Sequence, residues 1–153
     1  YNQGMRLCLF FLGAGLLSAQ KPVSFNREIR PIMADTCFRC HGPDAGTRMA
    51  NLRLDVRDEA LKPNRAGRTP IVPGKPEESH IVARIFETRA ARVMPPPSAH
   101  KELTDKQKDT IRRWVAEGAN YEGHWAYEPI RRPEAKSIDE LIQARLKDEG
   151  LSP

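Results

Sequence analysis

The chain has 153 residues, with 25 Lys and Arg against 20 Asp and Glu, 39% hydrophobic and 7% aromatic residues, 13 prolines and three cysteines. That is room for one small domain with additions. With 29% charged residues and a single long apolar run at the N-terminus, a multi-pass membrane protein, a collagen- or mucin-like chain and a wholly disordered chain are excluded. The surplus of positive charge is spread without a block of like charges, which favours a solvated basic surface over nucleic-acid binding.

The first stretch has one basic residue, Arg6, then an apolar core from Leu7 to Leu17, then Ser18 and Ala19. This pattern predicts a secretory leader over residues 1–19, cut near Ala19, with translation starting at Met5. The apolar core is too short for a bilayer span, which needs roughly 20 residues, so no stable membrane span is expected after leader removal. Cys8 leaves with the leader. The remaining chain carries 24 basic against 20 acidic residues and only two cysteines, Cys37 and Cys40. A multi-bridge disulfide framework is thereby ruled out.

From Ser24 onward, Phe25, Ile29, Ile32 and Thr36/Cys37 recur at helical steps, with Ser24 placed to cap the start. Pro31 inside this pattern predicts that the regular helix begins or kinks there. Residues 42–76 are rich in Gly, Pro and Asn and read as loop, with Asn51–Asp55 extended. So long a loop calls for something to wrap, and a bound cofactor would supply the missing core. Glu77 to Glu87 predicts an amphipathic helix of about three turns. Met94-Pro95-Pro96-Pro97 predicts a stiff, non-helical loop. Thr104 and Gln107 form a capping box opening a helix with Ile111, Trp114 and Val115 on one face, ending near Gly118. Trp114 is expected to pack near the cofactor or against the helix before Cys37. Residues 122–136 read as a linker. Ser137 and Glu140 then open a helix with Ile138, Leu141 and Ile142 in a stripe, ended by Gly150. A lone amphipathic helix cannot bury its own face, so 137–153 is expected to be the start of a truncated downstream domain.

Cys37-Phe38-Arg39-Cys40-His41 is the chemical motif. Cys-x-x-Cys-His is the attachment pattern for c-type haem: two thiols one helical turn apart form thioethers, and the adjacent imidazole faces the iron. One haem c per chain is therefore expected, with Cys37 and Cys40 as covalent attachments and His41 as the proximal iron ligand. The Nδ1–H of His41 is expected to donate to a backbone carbonyl of the Gly42-Pro43 region. Three other uses of the thiols compete. A thioredoxin-type pair needs a preceding strand, which the pattern lacks; a zinc site needs more ligands, with His41, His80, His100 and His124 at no recognised spacing; a plain disulfide does not require the histidine. For the distal ligand the reading selects Met94, because a thioether before three prolines sits on a restrained loop. Met33 and Met49 lie too close to the motif, and His100 is the strongest histidine alternative. Arg39, Arg53 and Arg57 are read as solvated cations.

The motifs Phe25-Asn26-Arg27-Glu28-Ile29-Arg30-Pro31-Ile32, Cys37-Phe38-Arg39-Cys40-His41-Gly42-Pro43-Asp44, Leu52-Arg53-Leu54-Asp55, Val72-Pro73-Gly74-Lys75-Pro76-Glu77-Glu78-Ser79, Met94-Pro95-Pro96-Pro97 and His124-Trp125-Ala126-Tyr127 together resemble the planctomycete-type cytochrome c domain. That domain stands at the N-terminus of large exported proteins, and the resemblance spans about residues 23–128. Its histidine ligand maps to His41 and its methionine before the prolines to Met94; His80 departs from the usual small or acidic residue. The tail from Ile138 to Leu146 looks like the opening of the family's next, uncharacterised domain.

The expected molecule is all-α: a cytochrome c-like domain over 20–121, wrapped round one covalent haem, with its N- and C-terminal helices packed together. It is expected to transfer single electrons in the periplasm or at the cell exterior and to break no substrate bond. Its partner would be a redox protein or the downstream domain of the same chain. A haem-based sensor and a structural haem domain of a larger enzyme are the alternative readings.

Overall fold

A computed structural model describes residues 21–127, 129 and 135–152. The leader segment lies outside the described residues. The chain divides into two units, the first ending at Tyr121 and the second starting at Glu122. Among the described residues there is no strand, and the fold is all-α. No described helix is long and apolar enough to cross a membrane.

The first unit begins with a π-helical turn, Phe25–Ile29, followed by α1, Arg30–Thr36. Ser24 caps the turn by accepting from the Arg27 N–H, and Arg30 N–H reaches back five residues to Phe25 C=O. The wide turn resolves the Pro31 conflict: Pro31 has no N–H to donate, and it sits at the start of α1, where none is needed. The short helices α2 (Phe38–His41) and α3 (Arg57–Ala60), then α4 (His80–Ile85) and α5 (Asp105–Ala116), follow in order.

Helix α5 forms as its sequence dictates. Thr104 Oγ1 accepts from Gln107 N–H and the Gln107 side chain accepts from Thr104 N–H. Ile111, Trp114 and Val115 are buried, and Gly118 adopts φ 105° just beyond the end. Phe25 meets Trp114 at 5.6 Å between ring centroids, and Tyr121 lies 4.4 Å from Phe25. Val23 N–H donates to Glu117 at 2.6 Å, which ties the start of the first unit to the end of α5, and Lys101 pairs with Asp35 at the surface.

Two expectations are corrected. The helix predicted over Glu77–Glu87 is shorter: a 3-10 turn, Pro76–Glu78, precedes α4, and the break falls at Ser79. Ser79 is 1% exposed and extended, because its hydroxyl accepts from Val72 N–H at 2.9 Å and donates to Lys75 C=O at 2.8 Å. Satisfying that loop backbone outweighs continuing the helix. Residues 51–55 form no strand: Ala50 and Asn51 both have φ 52°, and Leu52 N–H closes a turn on Met49 C=O. The long loop also buries side chains of its own, since Leu54, Ala60 and Ile71 belong to the core.

The second unit contains a 3-10 turn, Trp125–Tyr127, and α6, Ile138–Asp148. Ser137 caps α6, but the Glu140 carboxylate accepts from Lys136 N–H, so the capping box is only half made. Gly150 ends the helix at φ 71°, and Ile138, Leu141 and Ile142 are exposed.

Candidate haem-attachment site

Helix α1 delivers its C-cap, Cys37, whose N–H donates to Met33 C=O at 2.7 Å. The Cys40 and His41 N–H groups both turn back to the Cys37 C=O, at 3.1 and 2.8 Å. The motif is thus one closed helical turn. Both thiols are free and half-buried. The following loop then returns over this turn, with Met49 N–H donating to Cys40 C=O at 2.7 Å and Leu54 N–H to His41 C=O at 2.8 Å. Tyr121 completes the closure by donating its phenolic O–H to Leu54 C=O at 3.0 Å.

The imidazole Nδ1 of His41 is buried and has no hydrogen-bond partner. The bond expected to the Gly42-Pro43 carbonyls is not made. Arg48 occupies both, Nε donating to Gly42 at 2.9 Å and Nη2 to Pro43 at 2.6 Å, and a guanidinium out-competes a neutral imidazole for them. Burial pushes the His41 imidazole below its ordinary value, the Met49 backbone opposes this, and the Arg84 charge adds to the lowering. The neutral form favoured in this way is the one that binds metal. Burial also pushes the Cys37 thiol up, with the Thr36 hydroxyl 3.3 Å away opposing and Cys40 reinforcing the shift.

Met94 is half-buried, and its N–H donates to Arg84 C=O at 2.9 Å. Arg84 is also the cation that acts on His41. The competing residues sit elsewhere. Met33 is fully buried in the core, and Met49 is exposed beside the motif. His100 is exposed in the left-handed conformation that ends a 3-10 turn, Pro97–Ala99. In the second unit, His124 accepts on Nδ1 from Ala126 N–H at 3.2 Å. His80 is half-buried at the start of α4.

Among the described residues no three His, Cys, Asp or Glu side chains converge as a cage for a single ion. Two unbridged thiols on one turn, followed directly by an imidazole whose neutral form burial favours, instead suit a group attached at separated points, and this donor set fits haem. Sequence reading did not single out Arg48 or Tyr121 for this closure. Their roles depend on chain return, and Tyr121 and Leu54 are 67 positions apart.

An all-α fold built round this turn defines a small cytochrome c-like domain. The model of the planctomycete cytochrome C family matches residues 37–98, and over that segment the chain is similar to this family. No curated protein and no solved structure matches the chain.

Proposed function

We propose that the chain is an exported c-type cytochrome module that carries one haem and transfers single electrons. Cys37 and Cys40 would hold the haem covalently, and His41 and Met94 would ligate its iron. The observation that carries this reading is the closed Cys37–His41 turn, with two free thiols followed directly by His41, inside the family-matched segment. When bound, haem supplies a one-electron Fe(III)/Fe(II) couple. The chain's own part is to orient and to exclude water. Met49 and Leu54 fix the backbone of Cys40 and His41, burial keeps His41 neutral, and the prolines after Met94 restrain the distal loop. The leader-like N-terminus supports export, and a redox protein or a downstream domain would be the electron partner.

Production in an exporting host that has haem-ligation machinery tests the proposal. The pigment is expected to stay on the chain after denaturation, and Cys37→Ala with Cys40→Ala to give a colourless protein. A colourless parent chain from that host overturns the reading. A second prediction concerns the distal side. Met94→Ala should lower the reduction potential and let the reduced protein bind carbon monoxide, because a thioether ligand both raises the potential and closes the iron. An unchanged absorption spectrum would assign the distal position to another residue.

A further inference from the structure

Three separate segments bring arginines to one place. His80 and Arg84 lie four residues apart on α4 and so share a helix face. The loop carrying Arg68 is fastened to the start of that helix, His80 N–H donating to Thr69 C=O at 3.1 Å and Ile81 N–H to Pro70 C=O at 2.9 Å. The turn carrying Arg92 is fastened to its end through Met94 N–H and Arg84 C=O, at 2.9 Å. Arg68 and Arg92 are exposed and Arg84 is half-buried. Among the acidic residues of these segments, Glu78 pairs with Lys75, Glu87 with Arg89 and Glu59 with Lys62. Among the described residues no carboxylate forms an ion pair with Arg68, Arg84 or Arg92.

Three guanidinium charges act on His80. Burial lowers its pKa, and the charges of Arg68, Arg84 and Arg92 lower it further. Like charges held together without a counter-ion destabilise a fold, whereas they gain when an anionic surface neutralises them.

We propose that Arg68, Arg84 and Arg92 form a docking surface for a partner protein that presents clustered carboxylates. A protein fits better than a bilayer, because lipid-binding polybasic segments use about four to eight cations in a run. Arginine is also the cation most suited to interfaces, since its planar fork takes carboxylates in pairs. The proposal rests on the charges and does not require the haem reading.

The test uses the protein as exported, with a fluorescent oligoglutamate peptide as the probe. Binding should weaken as salt rises, and the peptide should shift the amide resonances of Thr69, Ala83 and Val93 before others. Removing two exposed charges, Arg68→Gln with Arg92→Gln, should weaken binding about five- to tenfold. A control that removes two charges elsewhere, Arg27→Gln with Lys106→Gln, should change it less than twofold. Equal losses in the two double variants would reduce the effect to net charge and overturn the proposal. So would resonance shifts spread over the whole surface. Binding to phosphatidylglycerol vesicles without binding to oligoglutamate would assign the patch to a lipid surface instead. Pigment retention is scored separately on the same samples, so a failure of the haem reading is distinguishable from a failure of this one.

Discussion

Trp114→Ala is expected to destabilise the first unit by about 3–5 kcal/mol, the range for deleting a large buried aromatic side chain. Trp114 is 1% exposed, and its ring packs against both Phe25 at 5.6 Å and Tyr121 at 5.2 Å. Its Nε1–H donates to Asn120 C=O at 3.1 Å, which turns the chain after α5 back toward the core. Alanine would remove the only indole from that cluster of rings and leave Phe25, the anchor of the π-helical turn, facing a void. Small domains are stable by about 5–15 kcal/mol in total, so this one substitution threatens folding. Trp114→Phe retains a ring and should lose less than half as much. Denaturant unfolding measures both; a Trp114→Ala loss under about 1 kcal/mol would mean that the contact between the two ends of the first unit does not carry its fold.

Much of that contact is legible in the sequence, because α5 is specified locally. Thr104 and Gln107 cap it, Ile111, Trp114 and Val115 mark its buried face, and Gly118 stops it. The less legible elements are those decided by distant partners. Ser79 ends the preceding turn because loop groups at Val72 and Lys75 claim its hydroxyl, so the apolar period around Ile81 and Ile85 overstates the length of α4. Helix α3 has a single turn and too few residues to show a period, and Ala60 becomes core only when Ile71 N–H reaches its carbonyl at 3.1 Å. The same division holds for the site. Cys37, Cys40 and His41 are contiguous, so their relation can be read directly, and their chemistry follows from spacing. What closes over them, Arg48 on the Gly42 and Pro43 carbonyls and Tyr121 on Leu54, exists only after the loop returns. The arginine surface has the same origin: a surplus that is evenly scattered along the chain is concentrated by the backbone bonds at Thr69 and Arg84.

Gly42→Ala should cost about 2–3 kcal/mol of stability, as overpacking does in a site that cannot relax. The reason is space. Gly42 sits at φ −131° and ψ −155°, an extended conformation open to any residue. A Cβ added there would collide with the Phe38 carbonyl oxygen and come within 2.9 Å of the carbonyl carbon and 3.0 Å of Cα. These are backbone atoms of the turn that carries Cys37, Cys40 and His41, so no side chain can swing aside to relieve the contact. Relief must come from opening α2 or moving the Gly42 carbonyl away from Arg48, and either shift displaces His41. The variant should therefore lose both unfolding free energy and the yield of covalent pigment in a haem-ligating host. Gly46→Ala is the matched control, because its Cβ would meet only the exposed Asp44 carboxylate, at 3.3 Å, and should stay within about 0.5 kcal/mol of the parent. Equal behaviour of the two variants in denaturant unfolding would show that the Phe38–Gly42 approach does not constrain the Cys-His turn.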